Sequence, residues 1–174
     1  MANPLLEVRV FHDYSEVSMF LGHFAVAEAA RPLVPQVPLW VLLVAAQWLD
    51  VVVLALMPFG VEGLAPGSAP LDYGGIVGRL VYSHSLLLAL IMELLIGLLA
   101  RHWWRDQLAG LVIGALVFSH WALDFPVHHA DMPWLPGNLG GFNLLGLGWY
   151  AHALPTLLLE VVMMVLALAW SYRE

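Results

Sequence analysis

The apolar positions of this chain fall in long unbroken runs rather than in alternating or amphipathic patterns. Against the ~20 residues that a helix needs to cross a bilayer core, residues 38–59, 80–100, 107–125 and 150–170 are each long enough. A fifth run, residues 17–30, is shorter and contains His23 and Glu28. It is expected to be a short span, with a re-entrant or interfacial helix as the alternatives. The fold class that follows is all-α, a polytopic transmembrane bundle of about five helices. Residues 1–174 are read as a single integral membrane domain.

Between the runs lie turn-forming segments. Residues 31–38 hold three prolines, residues 60–78 are rich in Gly and Pro, and residues 126–148 contain Pro133, Pro136 and five glycines after them. The last two are long for loops in a compact domain, and loops of that kind often act as lids or partner surfaces. The short stretch 101–106 makes the runs 80–100 and 107–125 antiparallel neighbours.

Composition strengthens the membrane reading. Hydrophobic residues make up 61% of the 174 and charged ones 11%, and the mean hydropathy is +0.83. Six arginines, no lysine and thirteen acids could not cover the surface of a soluble domain. A net charge of −7 leaves no basic patch for phosphates, so nucleic acid is excluded as a partner. The absence of cysteine removes disulfides, iron–sulfur clusters and thiolate zinc sites, leaving His, Asp and Glu as metal ligands. The first sixteen residues are charged and lack the order of a cleavable signal peptide. Arg31, Arg101, Arg105 and Arg173 fall on one side of the bundle, and Arg9 and Arg79 on the other. By the preference of basic residues for the cytoplasmic side, the N-terminus and both long loops are expected outside a bacterial inner (cytoplasmic) membrane.

Ionisable residues inside membrane helices are costly and therefore informative. His23, Asp50, His84, Glu93, His120, Asp124, His152 and Glu160 all lie within or at the ends of the runs, with no arginine mid-run to pair with them. A bound cation would relieve several at once. In Ser119-His120-Trp121-Ala122-Leu123-Asp124, the i, i+4 spacing puts His120 and Asp124 on one helix face, where they can share an ion or simply hydrogen-bond. Pro126 is expected to end or kink that helix and release His128 and His129 into the loop. Tyr82-Ser83-His84-Ser85 surrounds a histidine with hydroxyls that could orient a ligand imidazole or satisfy a core one. Asp50 follows Gln47 by three positions and is either a ligand or a protonated carboxyl bonded to backbone. His152, Thr156 and Glu160 form a polar seam on the last run, while Glu93 lies on a different face from His84 and suits a subunit contact or a neutral carboxyl. His12, His102 and His129 are expected to be solvated.

The ordered set Gly22-His23, Gln47-Trp48-Leu49-Asp50, Tyr82-Ser83-His84-Ser85 and Ser119-His120-x-x-x-Asp124 resembles the bacterial membrane-bound metal-dependent hydrolase family. There, an N-terminal His, a Pro-Asp-x-Asp stretch, a Thr-His-Ser and a Ser-His-x-x-x-Asp recur in this order. This chain keeps only the final aspartate of the second element. The resemblance spans roughly residues 19–128 and implies metal roles for His23, Asp50, His84, His120 and Asp124. A more distant likeness is to zinc-dependent phospholipases C, in which a further histidine follows the His-x-x-x-Asp element; His128 is its counterpart. Together these imply a divalent metal, zinc in the first instance, and hydrolysis of a lipid ester or phosphoester, with His128 donating a proton to the leaving group. Two readings from other classes stand beside it. One is a small non-enzymatic subunit of a larger membrane complex or homo-oligomer, using the cluster for structure or ion passage. The other is a tetrapyrrole protein with His84 and His120 as axial ligands.

Overall fold

The computed structural model of the protein describes residues 20–66, 76–149 and 152–173, so Arg9, His12, Asp72 and the start of the first apolar run lie outside the described residues. Among the described residues six α-helices carry the fold: α1 (Phe20–Ala30), α2 (Leu39–Ala46), α3 (Trp48–Leu56), α4 (Leu86–Trp104), α5 (Gln107–Val127) and α6 (Ala153–Ser171). Two short strands, β1 (Gly63–Pro66) and β2 (Ile76–Arg79), pair antiparallel at one end.

Among the described residues three helices are long and apolar enough to cross a membrane, namely α4, α5 and α6. The expected span 38–59 is instead two helices meeting at a 64° bend, and counting that pair as one broken span raises the number to four. α1 has 11 described residues, a length of ~16 Å at 1.5 Å per residue, about half the bilayer core. Five crossings are therefore not reached among the described residues. Outward faces are apolar, with Leu94, Leu99, Leu158 and Leu166 all more than half exposed, a surface suited to lipid and not to water.

The α4–α5 hairpin is built by local chemistry. Ser85 caps α4 by accepting from the Leu88 N–H at 3.4 Å, and Asp106 caps α5 by accepting from the Leu108 N–H at 2.8 Å. Small residues then let the helices approach closely. A Cβ on Gly97 would lie 2.9 Å from the Gly110 carbonyl oxygen, and one on Gly114 would lie 3.0 Å from that of Glu93. Pro126 does not end α5, which runs to Val127, and the His128 N–H still bonds the Asp124 carbonyl at 2.8 Å. A proline in the last turn forfeits one bond but leaves its neighbours in register. His128 thus stays one turn beyond Asp124 instead of joining the loop.

α1 packs against α6, α2 and α5. Where its described residues begin, Glu160 of α6 meets the backbone: Oε2 accepts from the Leu21 N–H at 3.0 Å and from the Gly22 N–H at 3.2 Å. This accounts for the polar seam in part, since Thr156 and Glu160 are buried and His152 is exposed. At the opposite end Arg31 donates to the Tyr172 hydroxyl at 3.0 Å and pairs with Glu28 at 3.4 Å, and Gln36 donates to Asp106. Arg31, Arg101, Arg105 and Arg173 consequently share one end of the bundle. The other end is closed by residues 128–148, tied down by the Met132–Leu145 bridge and by Leu86 and Leu87 N–H bonds to Pro133 and Trp134. Gly146 has φ +135° and a Cβ there would fall 1.9 Å from the His129 carbonyl oxygen, so only glycine lets this loop press onto the end of α5.

Candidate metal centre

Below that loop, side chains from α1, α3, α5 and the turn before α4 meet around Asp124. Asp124 Oδ2 lies 3.2 Å from His84 Nε2, 3.2 Å from His120 Nε2 and 3.8 Å from His128 Nε2, while Oδ1 lies 3.2 Å from His23 Nε2. Asp50 Oδ1 reaches His120 Nε2 at 3.5 Å and His84 Nε2 at 3.8 Å. All five residues expected as ligands are thus brought together, and His128 joins them. Counting from the end of α5, Asp124 and His120 sit ~5–10 Å below it.

Each side chain is placed by its element. The break between α2 and α3 leaves the carbonyl of Ala46, the last residue of α2, available to a partner outside the helix. His120 Nδ1 lies 2.8 Å from that oxygen and donates to it, which directs the bare Nε2 at the carboxylates. A side chain inserted into the helical ladder is also one of the few causes of a sharp kink. The same break turns Asp50, in the first turn of α3, toward His84 and His120. His84 belongs to the turn before α4, not to the helix as the span 80–100 implied. Its Nδ1 is 2.8 Å from Ser83 Oγ, and its carbonyl accepts from Trp121 Nε1 at 3.0 Å. Glu62 anchors this turn by accepting from the Tyr82 and Ser83 N–H groups at 2.7 and 2.9 Å. His23 stacks on His120 with centroids 3.9 Å apart, and its Nδ1 has no partner among the described residues. His128 Nδ1 is 3.1 Å from Asp131 Oδ1.

The donor set fits a cation. Ligand atoms of His23, His120 and Asp124, and separately of Asp50, His84 and His120, lie within 4.8 Å of one another. Ligands about 2.1 Å from a tetrahedral ion are about 3.4 Å apart, close to the separations found here. Electrostatics points the same way. Asp124 is 3% exposed, and no described arginine contacts it; Arg31 pairs with Glu28 instead. His120, with its proton on Nδ1, presents a lone pair to carboxylate oxygens, an arrangement that is repulsive unless a cation or an extra proton lies between. A divalent ion would balance the two carboxylates directly. The nitrogen and oxygen donors suit a first-row divalent metal and do not single one out.

Sequence reasoning missed three supporting residues: Glu62, Asp131 and Trp121. Glu62 and Asp131 sit in loops with no periodicity to mark them, and Trp121 shows no role until its indole N–H is seen on His84. Glu93 stays apart from the cluster, as its place on the helix implied. Comparisons with protein-family models, curated proteins and solved structures give no match, so the hydrolase likeness rests on the motif residues alone.

Proposed function

We propose that the protein is a membrane-embedded metal-dependent hydrolase, in which His23, Asp50, His84, His120 and Asp124 hold a divalent ion, zinc in the first instance, and whose substrate is a lipid ester or phosphoester. The observation that carries this reading is the convergence of four imidazole Nε2 atoms on the one buried carboxylate of Asp124. When bound, such an ion supplies an activated water and polarises the scissile group. Asp131 orients His128 through Nδ1 and leaves Nε2 facing the centre, where it can pass a proton to the leaving group. The Asp50 side chain is 41% exposed while those of His23, His84, His120 and Asp124 are at most 4% exposed, so substrate reaches the centre past Asp50. Elemental analysis of detergent-purified protein is expected to find about one divalent ion per chain, with chelation lowering the melting temperature and ending turnover. Protein that holds no ion and whose melting is unmoved by added metal would sink the metal reading. Stoichiometric metal with no turnover of any lipid ester or phosphoester would replace the enzyme by the second reading, a structural subunit, which the separate mid-span Glu93 favours.

The gathering of Arg31, Arg101, Arg105 and Arg173 at one end supports a cytoplasmic-membrane protein with that end inside and the metal centre in the outer half of the bilayer. The chain has no native cysteine, so Asn143→Cys in the exposed loop over the centre reports on this directly. An impermeant maleimide is expected to label it in intact cells. Labelling only after the inner face is opened would invert the topology.

A further inference from the structure

The end of the bundle opposite the metal centre carries a second feature. Where α4 turns into α5, Arg101, His102, Arg105 and Gln107 line a cavity of about 760 Å³. It shares Leu98, Arg101 and Gln107 with a neighbouring groove of about 350 Å³ that runs toward the middle of the bilayer. Leu94, Leu98 and Leu111 wall that groove, and Gly97, Gly110 and Gly114 floor it along the helix seam.

Charge and shape agree on one kind of occupant. Arg101 and Arg105 make no ion pair among the described residues. The neighbouring acid, Asp106, is engaged in accepting from Gln36 and from the Leu108 N–H. Arg105 also stands in the left-handed conformation at φ 52°, as the C-cap of α4. Glycine takes that position without strain, so an arginine there is held at a conformational cost that a bound anion can offset. Glu93 lines the deep end of the groove, ~12 Å along α4 from Arg101, and is too far to sit against a group held by the arginines.

We infer that this end is a binding site for an anionic phospholipid, its phosphate held by Arg101 and Arg105 in the cavity and one acyl chain lying in the groove over Gly97 and Gly114. A basic pocket joined to an apolar track matches the two parts of such a lipid. The site is independent of the metal centre.

Native mass spectrometry of the full chain, titrated with phosphatidylglycerol, phosphatidylcholine and soluble glycerol phosphate, tests this. Phosphatidylglycerol should bind one per chain and well above the other two. Each arginine contributes about fivefold at a membrane surface, so Arg101→Gln with Arg105→Gln should weaken that binding about twentyfold or more. Arg173→Gln removes the same charge from the same end, but from a side chain stacked on Trp170 outside the cavity, and should leave binding unchanged. Equal binding of phosphatidylcholine would show that the arginines select nothing. Equal binding of glycerol phosphate would show that the groove holds no chain. A loss in Arg173→Gln as large as in the double variant would reduce the effect to general surface charge. Any of these overturns the proposal, and the first two use only the unaltered protein.

Discussion

Asp124→Asn is expected to lower the melting temperature and weaken metal retention, and the response to chelator separates a metal centre from a hydrogen-bonded one. Without a cation, Asp124 is a carboxylate 3% exposed and held by a protonated imidazole, and asparagine would break that buried pair. That loss would also lower the melting temperature, but neither the unaltered protein nor the variant would then respond to chelator. With a cation present, asparagine keeps the shape and one oxygen ligand but leaves the ion with half its carboxylate charge. Asp124→Ala removes oxygen and charge together and should release the ion, at a cost of about 3–5 kcal/mol, the range for breaking a buried charged pair. Metal content and thermal melting, each with and without chelator, read both outcomes. A melting temperature of the unaltered protein that ignores chelator, with no bound metal, would end the metal assignment.

His120→Ala should be comparably damaging, for a different mixture of reasons. The imidazole is 1% exposed, stacks on His23 and donates to Ala46 where α2 breaks from α3. Truncation opens a cavity, leaves the Ala46 carbonyl without its donor and deletes a ligand, together costing about 3–5 kcal/mol. His120→Asn divides these effects. Its amide nitrogen can take the place of Nδ1 and restore the bond to Ala46, but nothing replaces Nε2. The asparagine variant should therefore regain much of the stability lost in His120→Ala while still failing to retain metal. Full metal retention in His120→Asn would remove His120 from the ligand set and leave it only the role of shaping the α2–α3 break.

Much of this protein is legible from residue order because the bilayer imposes simple rules. A helix must be long and apolar to cross, hence α5 and α6 coincide closely with two apolar runs and α4 overlaps a third from Leu86 onward. A polar group buried in lipid needs a partner, hence His23, Asp50, His84, His120 and Asp124 stand out before any coordinates are considered. The i, i+4 pair of His120 and Asp124 could be placed on one face from helix geometry alone.

Other features depended on contacts between distant segments. Residues 38–59 have the hydropathy of one span, and nothing local announces a 64° bend; the Ala46 carbonyl is drawn to His120, 74 positions away. Pro126 by itself signals a helix end, yet α5 continues to Val127 and holds His128 beside Asp124. The α1 run gives no hint that Glu160 of α6 accepts from its Leu21 and Gly22 N–H groups, nor Asp131 that it orients His128. Residue order thus determined which side chains cannot remain alone in lipid, since that depends only on their chemistry and their solvent. Which partner relieves each of them is set by three-dimensional proximity, and so was decided by the tertiary structure.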